Sequence, residues 1–505
     1  MSRDLHTVLV ANRGEIAVRV IRALRETGRR AVAVYSEADV DALHVQLADE
    51  AILIGPPPSA QSYLRVDAIV DAARRTGAVA IHPGYGFLSE REHAARAVED
   101  AGLTWIGPRP DTTAQVGDKV VARKIAKQAG VPVIPGSDGP VSAAEALVLG
   151  PKLGFPLMLK AQGGGGGKGI RLVKSPEGLA ADLERASAEA LSAFGEAGVY
   201  VEKCITRARH VEVQILGDGR GEAVHLGERE CSLQRRQQKV LEESPSLAVS
   251  EELRARMGAA AVALARAVKY RGAGTCEFLL DDQGRFYFLE VNARLQVEHP
   301  VTEMVTGFDL VRAQLEVAER ERLPFGQGDW QPRGHALELR VNAEDPFRGW
   351  APSVGTVRGL ELPGGPFVRV DTSLQEGMTV TPYYDSLLAK LIVWGRDRTE
   401  AVERLTAASR AFKLGGLRTT LPLVPLLAQD EDFRAARFHT GWLDPWVEAR
   451  REPAALTEEE LHAVAVAAAL AAHRARSPGP RAPEEGGGGG PSPWVMLGRR
   501  ERLGG

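Results

Sequence analysis

Over the first hundred residues, short apolar runs alternate with stretches whose apolar residues recur at helical spacing. The runs Thr7–Ala11, Ala31–Tyr35, Ala51–Ile54, Ala78–Ile81 and Thr104–Ile106 read as strands, and Ile16–Glu26, Val66–Arg75 and Glu92–Ala101 as helices. Such βαβ alternation predicts a mostly parallel sheet covered by helices, a Rossmann-like layer. Ligands of these sheets gather beyond the carboxyl ends of strands, where this chain carries NRGE at 12–15 and HPGYGF at 82–87. Both loops are expected to face a site.

A second unit begins near Gly117-Asp118-Lys119. Its strand Pro156–Lys160 runs into the glycine run 163–167, and after a helix come strands Val199–Glu202, Val211–Leu216, Glu222–Leu226, Thr275–Leu280 and Arg285–Val291. A third segment mixes strands (His335–Asn342, Gly355–Leu362, Val368–Asp371, Leu388–Trp394) with helices Arg398–Phe412 and Leu421–Ala428. Past Pro453, Glu458–Arg476 reads as an alanine-rich helix, followed by SPGP at 477–480 and glycines 486–490, a linker composition. Four regions are expected: 1–117, 118–333, 334–448 and 449–505. The fold class is α/β, with a parallel N-terminal sheet, a strand-rich middle domain and a C-terminal mixed α+β domain.

At 505 residues the chain is long enough for several domains of roughly 150 residues each. Lys+Arg 63 against Asp+Glu 66 leaves a net charge of −3, so no basic excess points to nucleic acid. Cys204, Cys231 and Cys276 show neither metal-ligand spacing nor an even count, which suits a reducing cytoplasm. The N-terminus lacks the apolar stretch of a signal peptide, and no run approaches the roughly 18 apolar residues of a membrane span. A soluble, cytoplasmic protein with no membrane partner is expected.

Three stretches could carry chemistry. Glycines 163–167 lie between Lys160 and Lys168, letting backbone N–H groups approach phosphates while ammonium groups balance their charge. The run is not a Walker loop: Gln162 stands where that motif needs glycine, and Gly169 where it needs Ser or Thr. A bare flexible turn is the alternative. The segment 275–292 reads as a hairpin turning at Asp281–Gly284. If Leu280 pairs with Arg285, Glu277 lies opposite Phe288 with Glu290 and Asn292 on the same face, while Phe278, Leu280, Tyr287, Leu289 and Val291 are buried. Oxygen-only ligands converging in this way favour Mg²⁺ or Mn²⁺ beside substrate phosphates, the alternative being a solvated strand face. Finally, RLQVEHP at 294–300 and the polar stretch 228–239 flank buried strands. Charges there need partners or an ionic substrate, so they read either as an anion pocket with a general base or as a surface ion-pair network.

With these motifs in hand, the chain resembles biotin carboxylase, the ATP-grasp component of biotin-dependent carboxylases. The resemblance spans roughly residues 5 to 447. It rests on ANRGEIA at 11–17, HPGYGFLSE at 82–90, KAQGGGGGK at 160–168, QRRQQK at 234–239, EVNARLQVEHPVTE at 290–303, RVNAEDP at 340–346 and YYDS at 383–386. It implies an ATP-grasp domain with a mobile lid at about 134–206, in which Lys119 and Lys160 hold ATP phosphates. Gly165 and Gly166 belong to the lid loop over them. Glu202, Lys203, His210 and Gln234 are implied to contact adenine and ribose, with Gln237 near the nucleotide. Glu277, Glu290 and Asn292 match the Mg²⁺ or Mn²⁺ ligands. Lys239, Arg294, Gln296 and Val297 match the bicarbonate pocket, Tyr85 the substrate loop, Glu298 the base that deprotonates bicarbonate, and Arg340 the group that stabilises the biotin enolate.

The chain departs from the family pattern at Gln237, where many members have a histidine; glutamine still hydrogen-bonds but carries no charge. The tail SPWVMLG at 492–498 resembles the start of the region that joins this module to a transferase and carrier in acyl-CoA carboxylase α chains. No Met-Lys-Met biotinylation motif follows. Biotin is therefore expected on a separate biotin carboxyl carrier protein, or on a longer form of this polypeptide, with a carboxyltransferase as the further partner. A homodimer built from the first and third domains, with Arg19 and Arg369 near its surface, is also implied. Two other readings share some of these residues: an ATP-grasp carboxylate–amine ligase and a non-catalytic nucleotide-binding scaffold. The first does not account as directly for 294–299 and Arg340, and the second leaves the retention of every matched charged residue unexplained.

Overall fold

The computed structural model describes residues 3–161, 169–194, 197–450 and 458–476. Residues up to Ala449 form one unit, and the rest of the chain a second.

Strand alternation organises the first layer. Val8, Val10, Ala31 and Ala33 bury toward one side, with helix Gly14–Glu26, while Leu9, Ala11, Val32 and Val34 bury toward the other, with Ile69, Ala73 and Trp105. Both faces are apolar because helices cover both, as parallel sheets require. The sheet has five parallel strands in the order Glu50–Gly55, Arg30–Ser36, Thr7–Val10, Ala80–His82 and Thr104–Trp105. The NRGE and HPGYGF loops leave adjacent strands at the same end. Asn12 joins them, its Nδ2 donating to the carbonyls of Pro83 and Tyr85 at 2.7 Å each. Gly84 permits that approach: its φ is +63°, and a Cβ there would stand 3.0 Å from Asn12 Nδ2.

The middle of the chain builds an antiparallel sheet that does not end with it. Eight strands run in the order Phe286–Asn292, Arg271–Leu280, Arg209–Asp218, Ala223–Arg235, Gln238–Ser244, His335–Asn342, Leu387–Gly395 and Val368–Thr372. The third segment's strands thus extend the second segment's sheet. A separate three-stranded sheet, with Leu157–Ala161 between Ile170–Val173 and Val199–Lys203, packs on helices Ala143–Leu153 and Leu179–Phe194.

Several expected elements differ. The polar stretch 228–239, expected beside buried strands, itself lies in two long strands joined at Arg236 and Gln237, both at positive φ (45° and 70°), a two-residue hairpin turn. Its buried charges, invisible to an apolar strand pattern, explain the difference. Gly355–Leu362 divides into Gly355–Thr356 and Arg358–Glu361, which pair with different strands. Leu421–Ala428 shortens to the helix Leu423–Leu427, led by Pro422. Helix Glu458–Arg476 exposes Leu461, Val466 and Leu470. Among the described residues no helix is long and apolar enough to cross a membrane.

Glu243 ties the hairpin strand to the C-terminal elements. Its Oε2 accepts from Arg398 Nε at 2.6 Å and meets His335 Nε2 at 2.8 Å, all three residues being buried. Burial alone would raise this carboxyl, but Arg398 and His335 outweigh it and hold it down at about 2. Its contribution to stability is therefore complete above the ordinary carboxylate value and is lost as the pH falls from there toward 2. Glu243→Gln should cost about 3–5 kcal/mol near neutrality, read as a lower urea midpoint, with the deficit shrinking in acid.

Candidate active site

The site grows from the non-core face of the eight-stranded sheet. Leu241, Leu337, Leu339, Val341, Leu391 and Val393 point into the core that helix Arg398–Ala411 covers. Period-two alternation then sends Glu242, Glu338, Arg340 and Lys390 to the opposite face, against helix His299–Thr306. Strand Arg209–Asp218 similarly brings His210 and Glu212 to this region.

At the centre stands Lys239. Its Nζ lies 2.6 Å from Glu212 Oε2, 2.6 Å from Glu298 Oε1 and 3.1 Å from Glu277 Oε1. Burial works against its charge, but the facing acidic groups prevail and hold the ammonium firmly protonated. Glu298 is fully buried, and Arg340 Nη2 approaches its second oxygen at 2.8 Å. Burial would raise Glu298; Lys239, Arg340 and Arg229 overcome it and keep it well below the carboxylate range. Arg229, with no exposed surface, donates to Glu212 at 2.6 Å and to Gln214 and Thr302. Arg340 Nε reaches Glu242 at 2.5 Å.

The hairpin 271–292 holds the proposed metal ligands, in a register that differs from the one expected. Leu280 pairs with Phe286 and Phe278 with Phe288; an irregularity then lets Glu277 pair with Glu290 and Thr275 with Asn292. The buried residues of the second strand are accordingly Phe286, Phe288 and Val291, whereas Tyr287 and Leu289 are only half-buried. Edge-to-face packing of Phe278 on Phe286 and Phe288 sets this phase, and the bulge corrects it for the acids. The bulge therefore places Glu277 and Glu290 directly opposite one another. Asn292 Nδ2 donates to Glu277 at 2.7 Å, His210 Nε2 stands 3.0 Å from Glu277, and Lys119 Nζ lies 3.3 Å from Glu290. Opposed carboxylates with an amide oxygen nearby form an oxygen donor set that fits a hard divalent cation.

The remaining candidates fall into separate groups. Arg294 pairs with Glu90 at 3.0 Å and donates to Gln296, whose amide donates to Thr275. The Val297 carbonyl accepts from Lys390 at 3.0 Å. Tyr85 donates its hydroxyl to Glu15, which faces Lys390 at 3.2 Å. Further off, Lys160 meets Glu202 at 2.5 Å, Lys203 donates to the Gly154 carbonyl, and Gln234 is buried, paired through its backbone with Lys239. Gln237 is exposed at the hairpin tip. Gly165, Gly166 and Lys168 lie outside the described residues. Arg19 and Arg369 converge on Glu303, at 3.0 and 2.7 Å. Sequence reasoning missed Glu212, Glu242, Glu338 and Lys390. Only the alternation His210-Glu212-Gln214 offered a signal; the others depend on cross-strand register.

Family models for the biotin carboxylase N-terminal domain, the ATP-binding domain of the carbamoyl-phosphate synthase L chain and the biotin carboxylase C-terminal domain match residues 4–113, 118–325 and 338–445. Biotin carboxylase 1 of Bacillus subtilis is 50% identical over 441 residues, which is 87% of this chain and 98% of that protein. The chain belongs to the biotin carboxylase family. The chloroplastic biotin carboxylase of Arabidopsis thaliana is 49% identical over 447 residues, 88% of this chain and 83% of its own. Among solved structures, the biotin carboxylase domain dimer of Hydrogenobacter thermophilus 2-oxoglutarate carboxylase, in complex with MgADP, ADP and bicarbonate, superposes with a TM-score of 0.83. It is 46% identical, covering 90% of this chain and all of that one.

Lys239 is the residue on which this buried charge cluster balances. Lys239→Met should leave three buried carboxylates without their shared cation and cost about 3–5 kcal/mol. A denaturant titration should show the deficit shrinking as the pH is lowered, because protonation relieves the orphaned acids.

Proposed function

We propose that the chain carboxylates biotin in two linked steps, using ATP and bicarbonate, as the first half-reaction of an acetyl-CoA or other acyl-CoA carboxylase. The observation that carries this reading is Glu298 held between Lys239 and Arg340, beside the opposed carboxylates of Glu277 and Glu290. The order of events follows from charge. As held, Glu298 is ionised but a weak base. Bicarbonate competes for Lys239 and Arg340, with Arg294, Gln296 and the Val297 backbone shaping its pocket; loosening these clamps raises the basicity of Glu298, which takes the bicarbonate proton. The resulting oxyanion attacks the γ-phosphate of ATP, giving carboxyphosphate and ADP. Carboxyphosphate decays to CO₂ and phosphate, the phosphate accepts the N1′ proton of biotin, and Arg340 stabilises the enolate while CO₂ is captured.

Glu277, Glu290 and Asn292 would hold Mg²⁺ or Mn²⁺, which neutralises the transferring phosphate. Lys119 and Lys160 would hold phosphates, releasing Glu290 and Glu202 as they turn. Glu202, Lys203, His210, Gln234 and Gln237 would line the nucleotide cleft under a lid of about 134–206 that includes Gly165 and Gly166, and Tyr85 would border the biotin entrance. The acting partners would be a biotin carboxyl carrier protein or domain and a carboxyltransferase, with the chain dimeric as in the Hydrogenobacter domain dimer and housed in the cytoplasm. The three free cysteines suit that compartment.

ADP release with MgATP and bicarbonate, with and without free biotin, tests the reading. Biotin should stimulate turnover, and Glu298→Gln should lower it at least a hundredfold with little change in nucleotide binding. Biotin-independent turnover unaffected by Glu298→Gln would defeat the assignment. Glu290→Gln should raise the Mn²⁺ concentration needed for half-maximal ADP binding, measured calorimetrically, by about tenfold or more.

A further inference from the structure

Beside Arg340 sits a carboxyl group that the proposed reaction does not use. Glu338 is fully buried, and neither of its oxygens accepts a hydrogen bond among the described residues. It lies two positions before Arg340 on the same strand face and directly opposite Glu242 in the antiparallel register. Glu242, also fully buried, bonds Arg340 through one oxygen and leaves the other unpartnered.

Every neighbouring element adds charge around this pair. Strand Gln238–Ser244 supplies Glu242 and Lys239, the neighbouring strand Ala223–Arg235 the buried Cys231, and the residue's own strand Arg340. Strand Leu387–Gly395 supplies Lys390, which turns instead to Glu15, Asp371 and the Val297 carbonyl. Glu298, immediately before helix His299–Thr306, takes the other edge of Arg340. On that helix His299 is buried, its Nδ1 2.7 Å from the Gln296 carbonyl, and Glu303 faces Arg19 and Arg369. Among the described residues no cation pairs with Glu338. Two carboxylates facing each other out of water cannot both stay ionised at ordinary cost, and the one without a cation is the one to keep the proton. Burial, reinforced by Glu242 and Glu298 and only partly offset by Lys390 and Arg340, lifts Glu338 well above the carboxylate range; burial also raises Glu242, but less far, because Arg340 and Lys239 pull it back toward its charged form.

We propose that Glu242 and Glu338 are positioning residues for Arg340: ionised Glu242 anchors its Nε edge, and protonated Glu338 leaves its Nη2 edge free to leave Glu298 for substrate oxygens. An ionised Glu338 would draw the guanidinium back into the sheet, and an absent Glu242 charge would leave it clamped on Glu298 alone. The inference rests on the reading of Arg340 as the group that meets biotin.

Kinetics of the full chain with MgATP, bicarbonate and free biotin across neutral to alkaline pH test it. In the wild type, biotin-stimulated kcat should fall and the biotin KM should rise on the alkaline side; Glu338→Gln, which cannot ionise, should move that limb to higher pH and leave the ATP KM in place. Glu242→Gln should lower biotin-stimulated kcat about tenfold at neutral pH, again with the ATP KM in place. A packing role alone lowers the rate equally at every pH, so an alkaline limb identical in Glu338→Gln and wild type overturns the proposal. Infrared spectroscopy supplies a readout independent of turnover. The wild type at neutral pH should show a buried protonated-carboxyl band that Glu338→Gln lacks. Absence of any such band from the wild type overturns the proposal whether or not the variant folds, while a wild type that shows the band but no biotin-stimulated turnover counts against the functional reading instead.

Discussion

One buried ammonium organises the charged face of the eight-stranded sheet. Lys239 lies among Glu212, Glu277 and Glu298, which come from three separate stretches of chain, and each would repel the others without it. Buried charges of this kind rarely add net stability over apolar packing. Their presence is better understood through reactivity: a cluster satisfied only by its own members is one that an anionic substrate can enter by exchanging partners. At the margin Lys119 and Lys160 likewise rest on Glu290 and Glu202, which under the proposed function they exchange for phosphate.

The continuous eight-stranded sheet is the means by which that cluster is assembled. Its core face is closed by apolar residues and helix Arg398–Ala411, so its other face is free to carry charge. Strand neighbours place Glu242 opposite Glu338, and Arg340 opposite Lys390. From Lys390 the charges continue to Glu15 and Asp371, and from Glu15 to Tyr85 in the N-terminal layer. The parallel sheet and the antiparallel sheet thus meet through ion pairs at the place where the HPGYGF loop and the Val297 backbone converge.

Stability and chemistry are separated within this arrangement. Glu243, one residue from Glu242, faces the other way and is satisfied by Arg398 and His335. Strand alternation gives adjacent glutamates opposite tasks: one secures the C-terminal elements and the other holds an arginine in the site. The Glu277–Glu290 pairing shows the complementary device, a bulge that keeps aromatic packing in phase on one side while bringing acids face to face on the other.

Much of this was legible in the residues. The βαβ alternation of the first hundred positions, the hairpin at 275–292 and the motifs carrying Lys239, Glu277, Glu290, Glu298 and Arg340 are local patterns, and local patterns are what a linear chain displays. The register of that hairpin was not legible, because one inserted residue reverses every side chain after it and only the packing of Phe278 decides where it falls. Nor were the long charged strands of 223–244, whose burial contradicts their composition. Arg340 finds Glu242 from 98 positions away and Glu298 from 42. The sequence by itself determined the layers, the family and which side chains were available for chemistry; the tertiary structure alone decided which charges share a proton or a partner, because that depends on cross-strand register and on exclusion of water, neither of which exists until the sheet has closed.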